Sequence, residues 1–502
     1  MHAVLAPSFT SADFWAIAPV TFLVFCGLAV LLLDAFFPRR EHEWLAYLSI
    51  ASLLLTGALA SWLQGCASRE ALSGMLLTDP LSHFAVLTLL VAAALSCISS
   101  LGYLREMRAD RAEYYGLLLL CTAGAMLMVQ AGDLVMIFLG LETMSIALYV
   151  LVAMRPDNRL STEASLKYFL LGAFTSALLL FGMALVYGGS GGQTNLGEIL
   201  ATLQSSSAGT SPVVLIAGAI LVLLGFLFKV AVVPFHMWAP DVYLGAPTNV
   251  TAFMATGVKA AAFVVLLRLV GLSSAMTVFR GHLADVLWVL AALSMTVGNL
   301  VALQQTSVKR MLAYSSITHA GYMLVGVLTF LTSSGELATR GTGSVLFYLV
   351  AYVLMNLGAF GVVALLGREG EEGDNLQCFK GLSRNRPLVA LAMAVLMFSL
   401  AGIPPSAGFM GKFYLFAAGL KAGYVWLVVL ALLNSAISVF YYLRVVMLMY
   451  MQQPEGEYRK AETCQVCASC GLALTSLGVV LLGILPGGFL HYALESARSL
   501  LP

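Results

Sequence analysis

Four ionisable side chains sit in stretches of this sequence that are otherwise almost wholly apolar. Lys229 lies in LLGFLFKVAVVPFHMWAPD, Lys259 in NVTAFMATGVKAAAFVVLL, Lys412 in SLAGIPPSAGFMGKFYLF and Glu142 in GDLVMIFLGLETMSIALYVLVA. An ionisable group at the depth of a bilayer costs about 2.5–3.5 kcal/mol on insertion scales, so one that is kept there is a functional candidate. The chemistry open to such a set is proton exchange. A desolvated lysine can be brought near neutrality, an isolated carboxylate at that depth is held neutral, and placing the two side by side ionises both. A line of Glu142, Lys229, Lys259 and Lys412 is therefore a proton wire by its chemistry, with occupancy set by the separation of its members.

Other charged residues divide less sharply. His319, in YSSITHAGYMLVGV, titrates near neutral pH and is either a relay or a hydrogen-bonded core histidine. His236, in PFHMWAP, is similar. Lys167 follows Glu163 by four residues at the start of an apolar run, which fits a surface helical pair or the mouth of a path. Arg268 and Arg444 lie near the ends of apolar runs, where snorkelling accounts for them. Asp79, Asp133 and Asp241 stand where caps and turns account for them. Cys464, Cys467 and Cys470 have C-x2-C-x2-C spacing, but an iron–sulfur site of that kind needs a further Cys-Pro three residues on, and GLALT follows instead. No glycine-rich phosphate loop stands in a strand–helix context. No cofactor-binding or metal-binding residue is expected in this chain.

These residues need elements that hold them inside a membrane, and the composition supplies them. Of 502 residues 60% are apolar and only 10% charged, with mean hydropathy +0.92. That is far from the roughly 25% charged residues of soluble chains and suits about fourteen helices of about 20 residues. Charge is balanced, 26 Lys+Arg against 25 Asp+Glu, so no basic face recommends a nucleic-acid partner. The N-terminus lacks the positive region of a cleavable signal peptide. Apolar runs give fourteen candidate spans, from 14–36 to 466–488, of which 212–238 and 387–420 are interrupted by proline. Connections holding Arg39/Arg40, Arg105/Arg108/Arg111, Arg155/Arg159, Lys309/Arg310, Arg368/Lys380/Arg384/Arg386 and Arg459/Lys460 alternate with connections holding only Arg69, Arg280, Arg340 and Lys421. Arg498 in the tail belongs to the poorer set. The richer set belongs in the cytoplasm, which puts both termini on the outer side. Lys229 precedes one proline break and Lys412 follows the other. Broken helices in two halves with reversed order point to inverted-topology repeats.

The fold class expected is thus an all-α polytopic membrane protein with two inverted repeats. LGLETMS, TEASLKYFLLGAFTSALLLFGMALVYGGSG, FKVAVVPFHMWAPDVYLGAPTNVTAFMATGVKAA, KRMLAYSSITHAGYML and GIPPSAGFMGKFYLF resemble the antiporter-like membrane subunits of respiratory complex I, the proton-translocating NADH:quinone oxidoreductase. The resemblance runs from about Asp79 to about Arg444. It is closest to the subunit N type, since Lys412 stands where subunit M typically has Glu and the chain ends soon after the fourteenth span, where subunit L continues into a long lateral helix. The resemblance implies N-terminal helices over 1–114, a first antiporter-like repeat over 115–271, a second over 285–451 and a last helix in 452–502. It implies Glu142 and Lys229 as an interacting pair, Lys259 as the central relay, His319 between, and Lys412 serving the outward exit, with Lys167 on the path. NADH, FMN, iron–sulfur clusters and quinone would belong to partner subunits, with subunits K and M as neighbours and the cell inner membrane as the setting. The related D-type component of a multi-subunit Na+/H+ antiporter is the alternative, and a purely structural membrane subunit a third reading.

Overall fold

A computed structural model describes residues 10–36, 43–64, 70–107, 109–205, 211–273, 277–367, 371–453 and 465–500. Arg39, Arg40, Arg69, Arg108, Arg368, Arg459, Lys460 and Cys464 fall outside them. The main helices are α1 (Ser11–Phe36), α2 (Glu43–Leu63), α3 (Pro80–Ser100), α4 (Glu113–Val129), α5 (Leu134–Val152), α6 (Arg159–Gly189) and α7 (Pro212–Lys229). There follow α8 (Thr248–Leu272), α9 (Thr277–Ala302), α10 (Val308–Thr332), α11 (Gly335–Leu366), α12 (Pro387–Ala401), α13 (Ala407–Lys421), α14 (Val425–Met451), α15 (Gln465–Ile484) and α16 (Gly487–Arg498). A two-stranded hairpin, Glu70–Ala71 with Leu76–Leu77, precedes α3.

Among the described residues eleven helices are long and apolar enough to cross a membrane, or twelve if the pair bent by 86° at the end of the chain is one span. The fourteen candidate spans exceed this set for a local reason. α4 is apolar but short, and the candidate at 387–420 is split into α12 and α13, each of 15 residues.

Starts and stops follow capping chemistry. Asp79 accepts from Ser82 N before Pro80 opens α3, Asp133 caps α5, Asn158 caps α6, and Ser307 caps α10. Each side-chain oxygen satisfies an amide that the first turn leaves free. α12 stops at Gly402, whose φ of +87° is left-handed backbone that suits glycine. Within the membrane no hydrophobic gain drives helices together, so small residues do it by close packing. A Cβ on Gly124 would meet the Met144 nitrogen at 2.6 Å, and one on Gly140 the Met128 nitrogen at 2.6 Å, which fixes α4 against α5.

The bundle is organised around α8 and α10. α8 is buried along its apolar length and α10 nearly so, whereas α6 is buried over about a third of its own. A π-helical turn at Met254–Val258 interrupts α8 immediately before Lys259, a distortion that often marks a functional position.

Two polar clusters tie the ends of the bundle. Arg268, near the end of α8, does not snorkel: it is buried and gives a bidentate pair to Asp79 at 2.8 and 2.9 Å and a bond to Ser82 Oγ. Asp79 is therefore more than a cap. Arg268→Ala is expected to cost about 3–5 kcal/mol, because it leaves one charge of a buried pair alone. A clear drop in the unfolding temperature of the purified protein in detergent checks this, and an unchanged temperature would show that the pair does not stabilise the fold.

At the opposite ends of these helices Glu372, in the connection after α11, collects partners from four other segments. It accepts from Tyr103 Oη at 2.6 Å, Arg155 Nη1 at 3.1 Å and Thr248 Oγ1 at 2.5 Å, with Lys309 Nζ at 3.6 Å. Burial and the neighbouring Glu372 charge hold the Tyr103 hydroxyl well above its ordinary pKa, so it stays a donor. Lys309, read from the sequence as a loop charge, is buried and also donates to Ala246 O at 2.6 Å.

Candidate functional site

α7 ends at Lys229, and the chain runs without regular helix through Val230–Phe235 before a short helix at Ala239–Gly245. The backbone groups freed by Pro234 find partners. Val232 N donates to Leu227 O, Val233 N to Ser294 Oγ at 2.9 Å, and Trp238 Nε1 to Phe228 O at 3.0 Å. In the second half the break lies between α12 and α13, and Ser406 caps the new start.

The two broken-helix lysines share one electrostatic solution. A helix C-terminus carries partial negative charge on carbonyls that have no intrahelical partner, and favours a cation there. Lys229 is itself the last residue of α7. Lys412 is on the following helix, but its Nζ reaches back to Leu400 O at 3.0 Å and Ala401 O at 2.9 Å, the last carbonyls of α12. The reversed order of lysine and proline in the two halves thus delivers an ammonium to the same place, the carboxyl end of a half-helix.

Each of the three buried lysines also has a serine. Lys229 Nζ donates to Ser145 Oγ at 2.8 Å. Lys259 Nζ donates to Ser316 Oγ and, at 2.8 Å, to Ser316 O. Lys412 Nζ donates to Ser435 Oγ at 2.9 Å. Exposure of the three lysines is 4%, 1% and 5%, so these contacts are the main replacement for lost water. His319 lies between Lys259 and Lys412 in a cluster of aromatic hydroxyls. Its Nδ1 pairs with Tyr348 Oη at 2.5 Å and its Nε2 with Tyr442 Oη at 3.0 Å, and Tyr442 Oη also pairs with Ser315 Oγ.

Glu142 is half-buried on α5 and accepts from Ser176 Oγ of α6 at 2.5 Å. It forms no ion pair with Lys229 among the described residues. The two are linked through α5, where Ser145, the acceptor for Lys229, follows Glu142 by three residues on the same face. Lys167 stands apart from the buried line. It is 42% exposed and pairs with Glu163 at 2.6 Å and Asp241 at 2.9 Å, and Asp241 also lies 3.5 Å from Arg310. His236 is half-buried, with no partner for its Nδ1 among the described residues. Cys470 is exposed, and among the described residues no three His, Cys, Asp or Glu side chains converge as a metal site.

The site residues that sequence reading passed over are hydroxyls: Ser145, Ser316, Ser435, Tyr348 and Tyr442. Serine is routine on membrane helices, and only the i, i+3 spacing of Glu142 and Ser145 could have singled one out.

Residues 131–438 match the family described as NADH:quinone oxidoreductase/Mrp antiporter, transmembrane. The chain is 45% identical over 502 residues, 99% of its own length and all of the other's, to NADH-quinone oxidoreductase subunit N of Trichlorobacter lovleyi. In structure it is similar to a chain of respiratory complex I from Thermus thermophilus solved with bound aureothin. TM-score is 0.78 and identity 34%, covering 94% of this chain and 98% of that one. A chain of the Mrp complex from Dietzia shares the fold, with TM-score 0.80 over 97% of each chain at 22% identity. Joined to the buried lysines and the two broken helices, these likenesses are decisive: the chain belongs to the NADH:quinone oxidoreductase/Mrp antiporter transmembrane family and, within it, to the NADH-quinone oxidoreductase subunit N proteins.

Proposed function

We propose that this chain is the subunit N of an NADH:quinone oxidoreductase and moves protons across the cell inner membrane when electrons pass from NADH to quinone elsewhere in the complex. The observation that carries the reading is the set of three buried lysines, each held by a serine hydroxyl and two of them seated at the carboxyl ends of broken helices. A purely structural subunit gains nothing from three such groups, since buried cations cost more than apolar replacements. In this reading Glu142 and Lys229 form the charge-coupled entry, Lys259 is the central relay, His319 lies between, and Lys412 serves the outward exit. Lys167 belongs to the mouth of the path, where its exposure and its bonds to Glu163 and Asp241 fit.

The same reading takes α4, the bent terminal pair and the split α12/α13 as spans, giving fourteen, with both termini outside. Residues 115–271 and 285–451 are then the two inverted repeats, each with one proline-broken helix. Subunits K and M are the expected neighbours, and NADH, FMN, iron–sulfur clusters and quinone are held by other subunits. The test is proton uptake by inverted membrane vesicles from cells carrying this chain. We expect NADH oxidation to drive uptake, and the uptake to be lost when Lys259 is replaced by Ala. Sodium-driven proton movement without NADH, lost in the same variant, would replace this reading with the Na+/H+ antiporter one.

A further inference from the structure

Buried hydroxyls that find no protein partner are rare in folded chains and usually mark a bound water or a working group. Among the described residues five tyrosines bury a hydroxyl that meets no partner in full hydrogen-bond geometry, Tyr114, Tyr149, Tyr168, Tyr322 and Tyr352, although Tyr352 adjoins Ser316 and Tyr322 adjoins Ser435 and Asn299. Four of the five present their ring to a buried lysine. Lys229 Nζ lies 5.3 Å from the Tyr168 centroid and 5.9 Å from that of Tyr149. Lys259 Nζ lies 5.9 Å from Tyr352, and Lys412 Nζ lies 5.2 Å from Tyr322. Unpartnered tyrosine hydroxyls and titratable lysines therefore occur together at every lysine of the line.

Two of these tyrosines do more than accompany a lysine. The Tyr352 ring is also 5.4 Å from the His319 ring, and the Tyr322 ring is 5.6 Å from it. Each thus stands between His319 and one lysine, at the two intervals that no direct side-chain hydrogen bond closes. His319 itself is fully engaged by Tyr348 and Tyr442. Two of the three serines at the lysines are poor candidates to pass a proton onward. Ser145 gives its own proton to Leu141 O at 2.6 Å, and Ser435 faces Ala401 O at 3.4 Å, so each is left mainly to accept from its lysine.

Resting on the reading above, we propose that Tyr352 and Tyr322 are the connecting residues of the proton path, each bridging a lysine to the His319 cluster through solvent bound at its hydroxyl. Two hydrogen bonds of about 2.8 Å let one water span about 5–6 Å, and a neutral tyrosine can accept on its oxygen while donating its own proton. The ammonium releases one proton to the bridging water, and a proton passes from that water to the tyrosine oxygen as the hydroxyl's own proton passes through a second bound water to the Tyr348 or Tyr442 oxygen, whose proton in turn moves onto His319. The tyrosine is neutral before and after. The ring keeps the ammonium in place by its negative face, which separates holding from conduction within one side chain.

The test is Tyr352→Phe and Tyr322→Phe in the intact complex, read separately and together. Phe keeps the ring that faces the lysine and removes only the hydroxyl, and deleting an unpartnered buried hydroxyl should not weaken assembly. We expect NADH-driven proton uptake, and NADH:quinone turnover with it, to fall about tenfold or more in each single variant. The double variant should be no worse than the worse single, as for two elements in series, with a larger solvent deuterium effect on turnover in whichever single retains more activity. Tyr114→Phe, the one unpartnered tyrosine away from the lysines, should change nothing. Normal uptake in either single variant, in a preparation where Lys259→Ala abolishes it, overturns the proposal and leaves the lysine path standing. Normal uptake in Lys259→Ala as well would instead remove the reading on which it rests.

Discussion

Lys259→Arg is expected to abolish proton pumping almost as completely as Lys259→Ala. Arginine keeps the positive charge, yet its pKa stays above about 12 even when buried, whereas a desolvated lysine can give up its proton and regain it. Lys259 is 1% exposed, and among the described residues its ammonium is held only by Ser316 and the Tyr352 ring. No carboxylate pairs with it among the described residues, so a fixed charge there serves no partner. If the residue were a structural cation, Arg would rescue most activity, and if it is a relay, Arg is a permanent block. Because pumping and electron transfer are coupled, NADH:quinone turnover should fall with it, by about a hundredfold if the relay acts as a general acid–base group. The measurement is turnover and vesicle proton uptake, with assembly checked on a native gel. Full turnover and pumping by Lys259→Arg would refute the relay role.

Glu142→Gln should depress pumping far more than it depresses assembly. Glutamine preserves the size of the side chain and an oxygen for the Ser176 hydroxyl, which now meets the carboxylate at 2.5 Å, so packing of α5 on α6 is retained. What disappears is a carboxylate one helical turn from Ser145, the acceptor for the Lys229 ammonium. Without it the protonated state of that lysine loses its only acidic neighbour along α5, and the first exchange of the line should slow about tenfold or more. Assembled Glu142→Gln complex that pumps at the normal rate would take this carboxylate out of the mechanism.

Much of this was legible in the sequence, and what was not has physical causes. Depth in an apolar run exposed Glu142, Lys229, Lys259 and Lys412 because an ionisable residue is conspicuous against leucine and valine. Proline located the two breaks for the same reason. Partnership was not legible. Arg268 looked like a snorkelling residue because its partner, Asp79, lies 189 positions earlier. Lys309 looked like a loop charge because loops and buried junctions between helices have the same composition, and Glu372 drew no notice for the same reason. How Glu142 and Lys229 would interact was not legible either: the ammonium donates to Ser145, one turn along α5 from Glu142. Tyr352 and Tyr322 were hidden among 19 tyrosines, ordinary in type and distinguished only by what their hydroxyls lack.

The Glu372 cluster sets a limit on how this molecule moves. Transporters with broken helices in paired halves commonly change access by rocking one half against the other. Here a carboxylate from the second half is bonded to Arg155, Tyr103 and the first residue of α8 in the first half, and Arg310 of the second half reaches Asp241 of the first. A swing between the halves would have to tear out this clamp at one membrane face, exposing buried charges. Switching between the two sides of the membrane is left to side-chain rotamers and water within a rigid frame, displacements of a few ångströms that are fast compared with domain motion.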